Sequence, residues 1–140
     1  MKTQIRSSRL LLPVLLIILG GAALFFFSRP QSSSSHAEAI QRLAPATYVQ
    51  EISDETHLLL DVRTPEEFSS GYIAGAVNIP VQSLAARLSE IPRDQPVVIY
   101  CRSGNRSALA AEILADAGYS TIYDMGGIQA WQAQGLPVAR

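Results

Sequence analysis

The chain has 140 residues and a formal net charge of −1, room for one domain with its own core and little else. From residue 30 onward there are seven arginines, no lysine and twelve acidic residues, a net of about −5. That excludes the basic field a nucleic-acid binder needs, and the single cysteine, Cys101, excludes a fold stapled by an internal disulfide.

Residues 1–9 form a basic segment with Lys2, Arg6 and Arg9. Residues 10–27 (LLLPVLLIILGGAALFFF) follow without a charge, and as a helix they would span roughly 27 Å, close to the thickness of a bilayer's hydrocarbon. The run predicts a transmembrane signal anchor. The alternative is the apolar region of a cleaved signal peptide, usually roughly 7–15 residues with a small-residue site just beyond it. Here the nearest such site, Ala37-Glu38-Ala39, lies about a dozen residues past Phe27. The preceding positive charges keep the N-terminus cytoplasmic and send the rest to the periplasmic or cell-surface side. Residues 28–45, opening on SRPQSSSS, read as a flexible linker, with His36 a solvated member of it.

The folded domain is expected over residues 46–138. Pro45 suits a helix entrance, and Tyr48 and Ile52 would share one apolar face. Leu58-Leu59-Leu60 reads as a buried strand ending at Asp61-Val62-Arg63, with His57 at its edge. Thr64, Pro65 and Glu67 spell a capped helix start, and Glu66 and Glu67 read as solvated capping charges. Gly71 ends that helix, residues 76–79 form a brief strand, and a helix follows Pro80 with Leu84 and Leu88 on one face. Residues 97–100 (VVIY) are a strand, residues 107–117 a helix closed by Gly118, residues 121–123 a last strand, and residues 128–133 a short helix after Gly126-Gly127. Trp131 on that helix either packs in the core or lines the mouth of the site. Alternating strands and helices imply a doubly wound α/β domain, a mainly parallel sheet with helices on both faces. Reactive groups in such sheets collect beyond the carboxyl ends of the strands, where Cys101 and Asp61 both fall.

Cys101 stands where a strand ends and a helix is about to begin. The loop Arg102-Ser103-Gly104-Asn105-Arg106-Ser107 can turn successive backbone N–H groups inward, the helix dipole adds partial positive charge, and Arg102 and Arg106 add full charges. All three favour thiolate over thiol and mark Cys101 as a nucleophile rather than an inert core residue. Tyrosine phosphatases place five residues between cysteine and arginine, a cradle for a phosphate. Only four lie between Cys101 and Arg106, which suits a smaller anionic head such as the terminal sulfur of a persulfide.

The loop CRSGNRS resembles the active-site loop of the rhodanese sulfurtransferases. Asp61-Val62-Arg63 with Pro65-Glu66-Glu67-Phe68, then Gly71, Ile73, Gly75-Ala76 and Asn78-Ile79-Pro80, is similar to that family's N-terminal signature, with Tyr72 in place of the usual histidine. Gly126-Gly127, Trp131 and Gly135-Leu136-Pro137 resemble its C-terminal end. The resemblance covers roughly residues 46–138 and implies a five-stranded sheet.

It also implies a thiosulfate sulfurtransferase. Cys101 would take sulfane sulfur from thiosulfate or a persulfide donor and pass it to a thiol or cyanide acceptor. The backbone of residues 102–107 would hold the sulfur, and Arg102 would point outward to an anionic donor. Arg106 would brace the loop against Asp61 or another carboxylate, with Asp61 and Arg63 in support. No metal and no organic cofactor is expected, and the acceptor is a small molecule or a protein. The expected state is a monomer, tethered to the membrane by residues 10–27. The alternative is a sulfur-carrying, sensing or protein-binding module with little turnover of its own. A phosphatase or arsenate reductase on the same fold is disfavoured by the short loop.

Overall fold

The structure, a computed structural model, describes residues 38–140. The expected segments at 1–9 and 10–27 and most of the expected linker lie outside the described residues. Among the described residues no helix is long and apolar enough to cross a membrane.

Five strands form one parallel sheet: β1 (Ile40–Arg42), β2 (Leu58–Asp61), β3 (Val77–Asn78), β4 (Val97–Cys101) and β5 (Ile122–Gly127), in the order β1-β5-β4-β2-β3. The helices are α1 (Pro45–Thr47), running on as a π-helical turn at Tyr48–Ile52, α2 (Pro65–Ser69), α3 (Val81–Leu84), extended by a 3₁₀ segment at Ala85–Glu90, α4 (Asn105–Asp116) and α5 (Ile128–Ala133). β4 is central and every one of its residues is buried. Its alternating side chains feed two cores. Val97, Ile99 and Cys101 pack with Val81 and Leu84 of α3 and with Ala110, Ala111 and Leu114 of α4. Val98 and Tyr100 pack with Tyr48, Ile128 and Trp131. The period of two that aims residues at opposite faces of a strand thus places helices on both sides of the sheet.

Three boundaries differ from the sequence expectation. Residues 38–45, expected as linker, already belong to the fold. β1 pairs with β5 from Ile40 opposite Ile122 to Arg42 opposite Asp124, and the Leu43 N–H donates to the Asp124 carbonyl at 3.0 Å. β5 runs on through Gly126-Gly127, beyond the expected strand end at residue 123. The register passes from Ile99 opposite Asp124 to Tyr100 opposite Gly126, so Met125 is a bulge residue, and the Gly126 N–H donates to Asp124 Oδ1 at 2.9 Å. Finally, α4 starts at Asn105, because Gly104, at φ +114°, reverses the chain at once and leaves Asn105 and Arg106 in the first helical turn.

Trp131 is a core residue. Its ring lies edge-on to Tyr48 at 5.9 Å, and its indole N–H donates to the Pro137 carbonyl at 2.8 Å. His57 sits at the strand edge as expected, half-buried, with Nε2 3.0 Å from the Tyr48 hydroxyl.

Candidate active site

The site is built at the carboxyl ends of β2, β4 and β5. Cys101 ends β4, opposite Gly127 of β5, and is 1% exposed. The chain then leaves the sheet through Arg102 and Ser103, both exposed, and turns back at Gly104. That turn aims the Gly104 N–H at the Cys101 Sγ, 3.0 Å away. The first turn of α4 begins directly behind, so its unpaired N–H groups and dipole face the same region.

Three contacts fix the loop. Ser107, buried, donates its hydroxyl to the Gly104 carbonyl at 2.9 Å. The Gln129 N–H of α5 donates to the Arg102 carbonyl at 3.3 Å. Gly127 lies directly beneath, where a Cβ would stand 2.7 Å from Ser103 Cα and 2.8 Å from the Arg102 carbonyl carbon. The bulge at Met125 sets the register that puts a glycine under the loop.

Arg106 braces the loop, and its partner is Glu67. Nη1 donates to Oε2 at 2.6 Å and Nη2 to Oε1 at 2.9 Å, a two-pronged pair. Glu67 is therefore more than the solvated capping charge expected from sequence. It does complete the capping box, accepting from the Thr64 N–H at 3.1 Å while its own N–H donates to Thr64 Oγ1 at 3.3 Å. The Arg106 hydrogen bonds, joined by that of Thr64, hold its carboxyl at about 2, against an ordinary value near 4.5. The same pair raises Arg106.

Asp61 is not available to Arg106. It is fully buried, with its carboxylate accepting from the Arg63 backbone N–H at 2.9 Å and from the Arg63 guanidinium at 2.6 to 3.0 Å. Arg63 donates further to the Gly71 carbonyl at 2.8 Å and lies 5.6 Å from the centre of the Tyr100 ring. The Tyr100 hydroxyl accepts from the Ile73 N–H at 3.1 Å, and burial raises its pKa. Asn78 donates to the carbonyls of both Asp61 and Arg63, at 3.0 and 2.9 Å. Asp61 and Arg63 thus stiffen the end of β2, beside the loop.

A cleft of about 350 Å³ opens against this assembly, lined by Arg63, Glu67, Arg102, Gln129 and Arg140 among others. Of the residues expected at the site, Arg63 and Arg102 line it. Ser103 and Asn105 are exposed and Cys101 is buried, and none of the three lines the cleft. Glu67, Gly127, Gln129 and Arg140 were not among the expected site residues. Glu67 left a signal as an acid within the same motif as Asp61 and Arg63, and Gly127 as one of a glycine pair that permits close backbone approach.

The family described as Rhodanese-like domain matches residues 44–134. A protein of Allochromatium vinosum named Sulfurtransferase is 46% identical over 91 residues, 64% of this chain and 85% of that relative. Thiosulfate sulfurtransferase 16, chloroplastic, of Arabidopsis thaliana is 38% identical over 94 residues, covering 58% of this chain and 78% of its own length. The crystal structure of a rhodanese-related protein from Thermoplasma volcanium superimposes with a TM-score of 0.65 at 35% identity, covering 71% of this chain and 97% of that one.

Proposed function

Because the chain belongs to the rhodanese-like domain family, we propose that it is a sulfurtransferase in which Cys101 carries sulfane sulfur as a persulfide from an anionic donor to a thiol or cyanide acceptor. The carrying observation is the Gly104 N–H, 3.0 Å from Sγ at the head of α4. With thiosulfate as donor, the Cys101 thiolate attacks the outer sulfur. The Sγ–S bond forms as the old S–S bond breaks, and sulfite leaves with the electron pair. An acceptor thiolate then attacks that sulfur and returns Cys101 as thiolate. The two half-reactions predict ping-pong kinetics. Backbone N–H groups of residues 102–107 hold the transferred sulfur, as an oxyanion hole holds charge. Arg102 attracts the donor, and Arg106, latched to Glu67, keeps the cradle in shape.

We read residues 10–27 as a single-pass anchor that leaves this domain on the periplasmic or cell-surface side. The support is the uncharged run itself with Lys2, Arg6 and Arg9 before it. Retention in carbonate-washed membranes, with digestion by protease added outside, is the expected behaviour. Release by carbonate would sink the anchor.

The chemistry is tested by incubating the full chain in detergent with thiosulfate and taking an intact mass, beside Cys101→Ser. The expected result is a gain of about 32 Da, one sulfur, removed by cyanide and absent in the variant. No gain from thiosulfate or any persulfide donor would overturn the reading.

A further inference from the structure

The buried charged side chains among the described residues are Asp61, Arg63 and Asp124. Asp61 and Arg63 satisfy each other at the end of β2. Asp124, 5% exposed on β5, is held differently. Its ion-pair contact, Arg42 of β1, stands 4.0 Å away with its side chain 86% exposed, too open to water to offset a buried charge. The strong contact is to the backbone, where Oδ1 accepts from the Gly126 N–H at 2.9 Å. Burying a carboxylate is costly unless it is hydrogen-bonded, so its place here points to the use of that bond.

The bond closes a turn. An aspartate that accepts from the N–H two residues on mimics a backbone turn, and here it does so across a bulge. Met125 is left out of the pairing with β4, Gly126 takes φ +79°, and the register steps from Ile99 opposite Asp124 to Tyr100 opposite Gly126. The residues beyond the step serve the Cys101 loop. Gly127 comes opposite Cys101, beneath Arg102 and Ser103, and the Gln129 N–H reaches the Arg102 carbonyl. Without the step Met125 would face Tyr100, Gly126 would face Cys101, and Gly127 and Gln129 would each fall one place out of position. Ile122 and Tyr123, before the bulge, pair with Val97 and Val98 either way.

We propose that Asp124 is a positioning residue for Cys101: its side-chain oxygen holds the bulge that seats Gly127 and Gln129 against the loop. It acts through Gly126 and Gly127 rather than on the sulfur. The role belongs to the hydrogen-bond acceptor, which asparagine also presents, and not to the negative charge. The proposal rests on the sulfur-carrier reading for its rate measurement alone, since what it concerns is where the loop stands.

The test compares the full chain in detergent with Asp124→Asn, Asp124→Ser, Asp124→Ala and, as a control, Ile122→Val at the far end of β5. Amide hydrogen exchange over residues 102–107 reads the loop directly. Charging of Cys101 from thiosulfate, followed by quenched intact mass, gives a saturating rate and a half-saturating concentration. Asp124→Ala is expected to exchange faster over the loop and to lose about tenfold or more in the saturating rate, as misplaced reacting groups do, with the half-saturating concentration little changed. Asp124→Asn keeps the acceptor and is expected to match the wild type. Asp124→Ser, a weaker acceptor, is expected to fall between, and it decides the matter if Asp124→Ala does not fold. Ile122→Val is expected to lose stability with loop exchange and rate intact. Wild-type exchange and rate in Asp124→Ala, an Asp124→Asn as impaired as Asp124→Ala, or the same loss in Ile122→Val would each overturn the assignment. A wild type that charges from no donor would overturn the carrier reading instead, and the exchange comparison would still decide the role of Asp124.

Discussion

Glu67 and Arg106, 39 residues apart, meet through two hydrogen bonds of 2.6 and 2.9 Å and tie the start of α2 to the first turn of α4. The pair is half-buried rather than sealed, so its net worth is modest, about 1 kcal/mol. Its larger role is geometric, since Arg106 belongs to the loop that carries Cys101. Glu67→Gln retains an oxygen for the Thr64 N–H but removes the charge and one of the two acceptors that face Arg106. The expected result is a loss of about 1 kcal/mol in urea denaturation, with slower persulfide formation. A variant that charges at the wild-type rate would show that the brace is dispensable.

The same pair sets a pH dependence. The Arg106 hydrogen bonds lower the folded Glu67 carboxyl to about 2, against about 4.5 when unfolded. A depressed carboxyl stabilises the fold fully above its unfolded value and loses that stabilisation as pH falls through the folded one. The stability gap between wild type and Glu67→Gln is therefore expected to hold above pH 4.5 and to close between pH 4.5 and about 2. Denaturation midpoints of both proteins across that range would check it. A gap that persists at the acid end would contradict the assignment.

Gly127→Ala separates sterics from backbone strain. Gly127 has an ordinary extended backbone at φ −116°, so alanine is conformationally allowed there. Its methyl group would nevertheless stand 2.7 Å from Ser103 Cα. Overpacking of this kind costs about 1–3 kcal/mol, and the yielding element is the exposed loop. The variant is expected to fold, with a lowered melting temperature and charging of Cys101 reduced by more than about tenfold. Undiminished charging would show that the loop tolerates displacement.

Asp61→Asn tests the buried pair at the end of β2. Arg63 would stay buried with its counter-charge gone, which costs about 3–5 kcal/mol. Replacing both together, Asp61→Asn with Arg63→Met, is expected to recover much of that loss, because no unpaired charge remains. Calorimetry on the single and double variants decides it, and a double variant less stable than the single would refute the account.

Much of this architecture was legible in the sequence, because the signals were local. Residues 97–100 are β-branched and aromatic, Thr64 to Glu67 spells a capping box, and Gly118 closes α4 at φ +84°. The Cys101 loop was legible for the same reason, as a cysteine poised between a strand and a helix. β1 was not, because Ile40-Gln41-Arg42 offers one half-buried and two exposed side chains, and its place depends on backbone pairing with a strand some eighty residues later. The partner of Arg106 was hidden by a different cause. A carboxylate has several lone-pair sites, so a complete local explanation for Glu67 as a cap left room for Arg106 as well. Gly126-Gly127 hid the true end of β5, because glycines carry none of the β-branched or aromatic signal of a strand. Here one serves a bulge and the other the close approach of a loop.

The pairing of β1 with β5 has a mechanical consequence. The first described strand can join the sheet only after β5 exists, so closing this edge waits on nearly the whole domain and belongs late in folding. The order also runs in reverse under load. Tension entering the chain at residue 38 meets a three-residue edge strand first, two places away from β4 in the sheet. β1 can therefore peel away while Cys101 and its loop stay seated on the central strand.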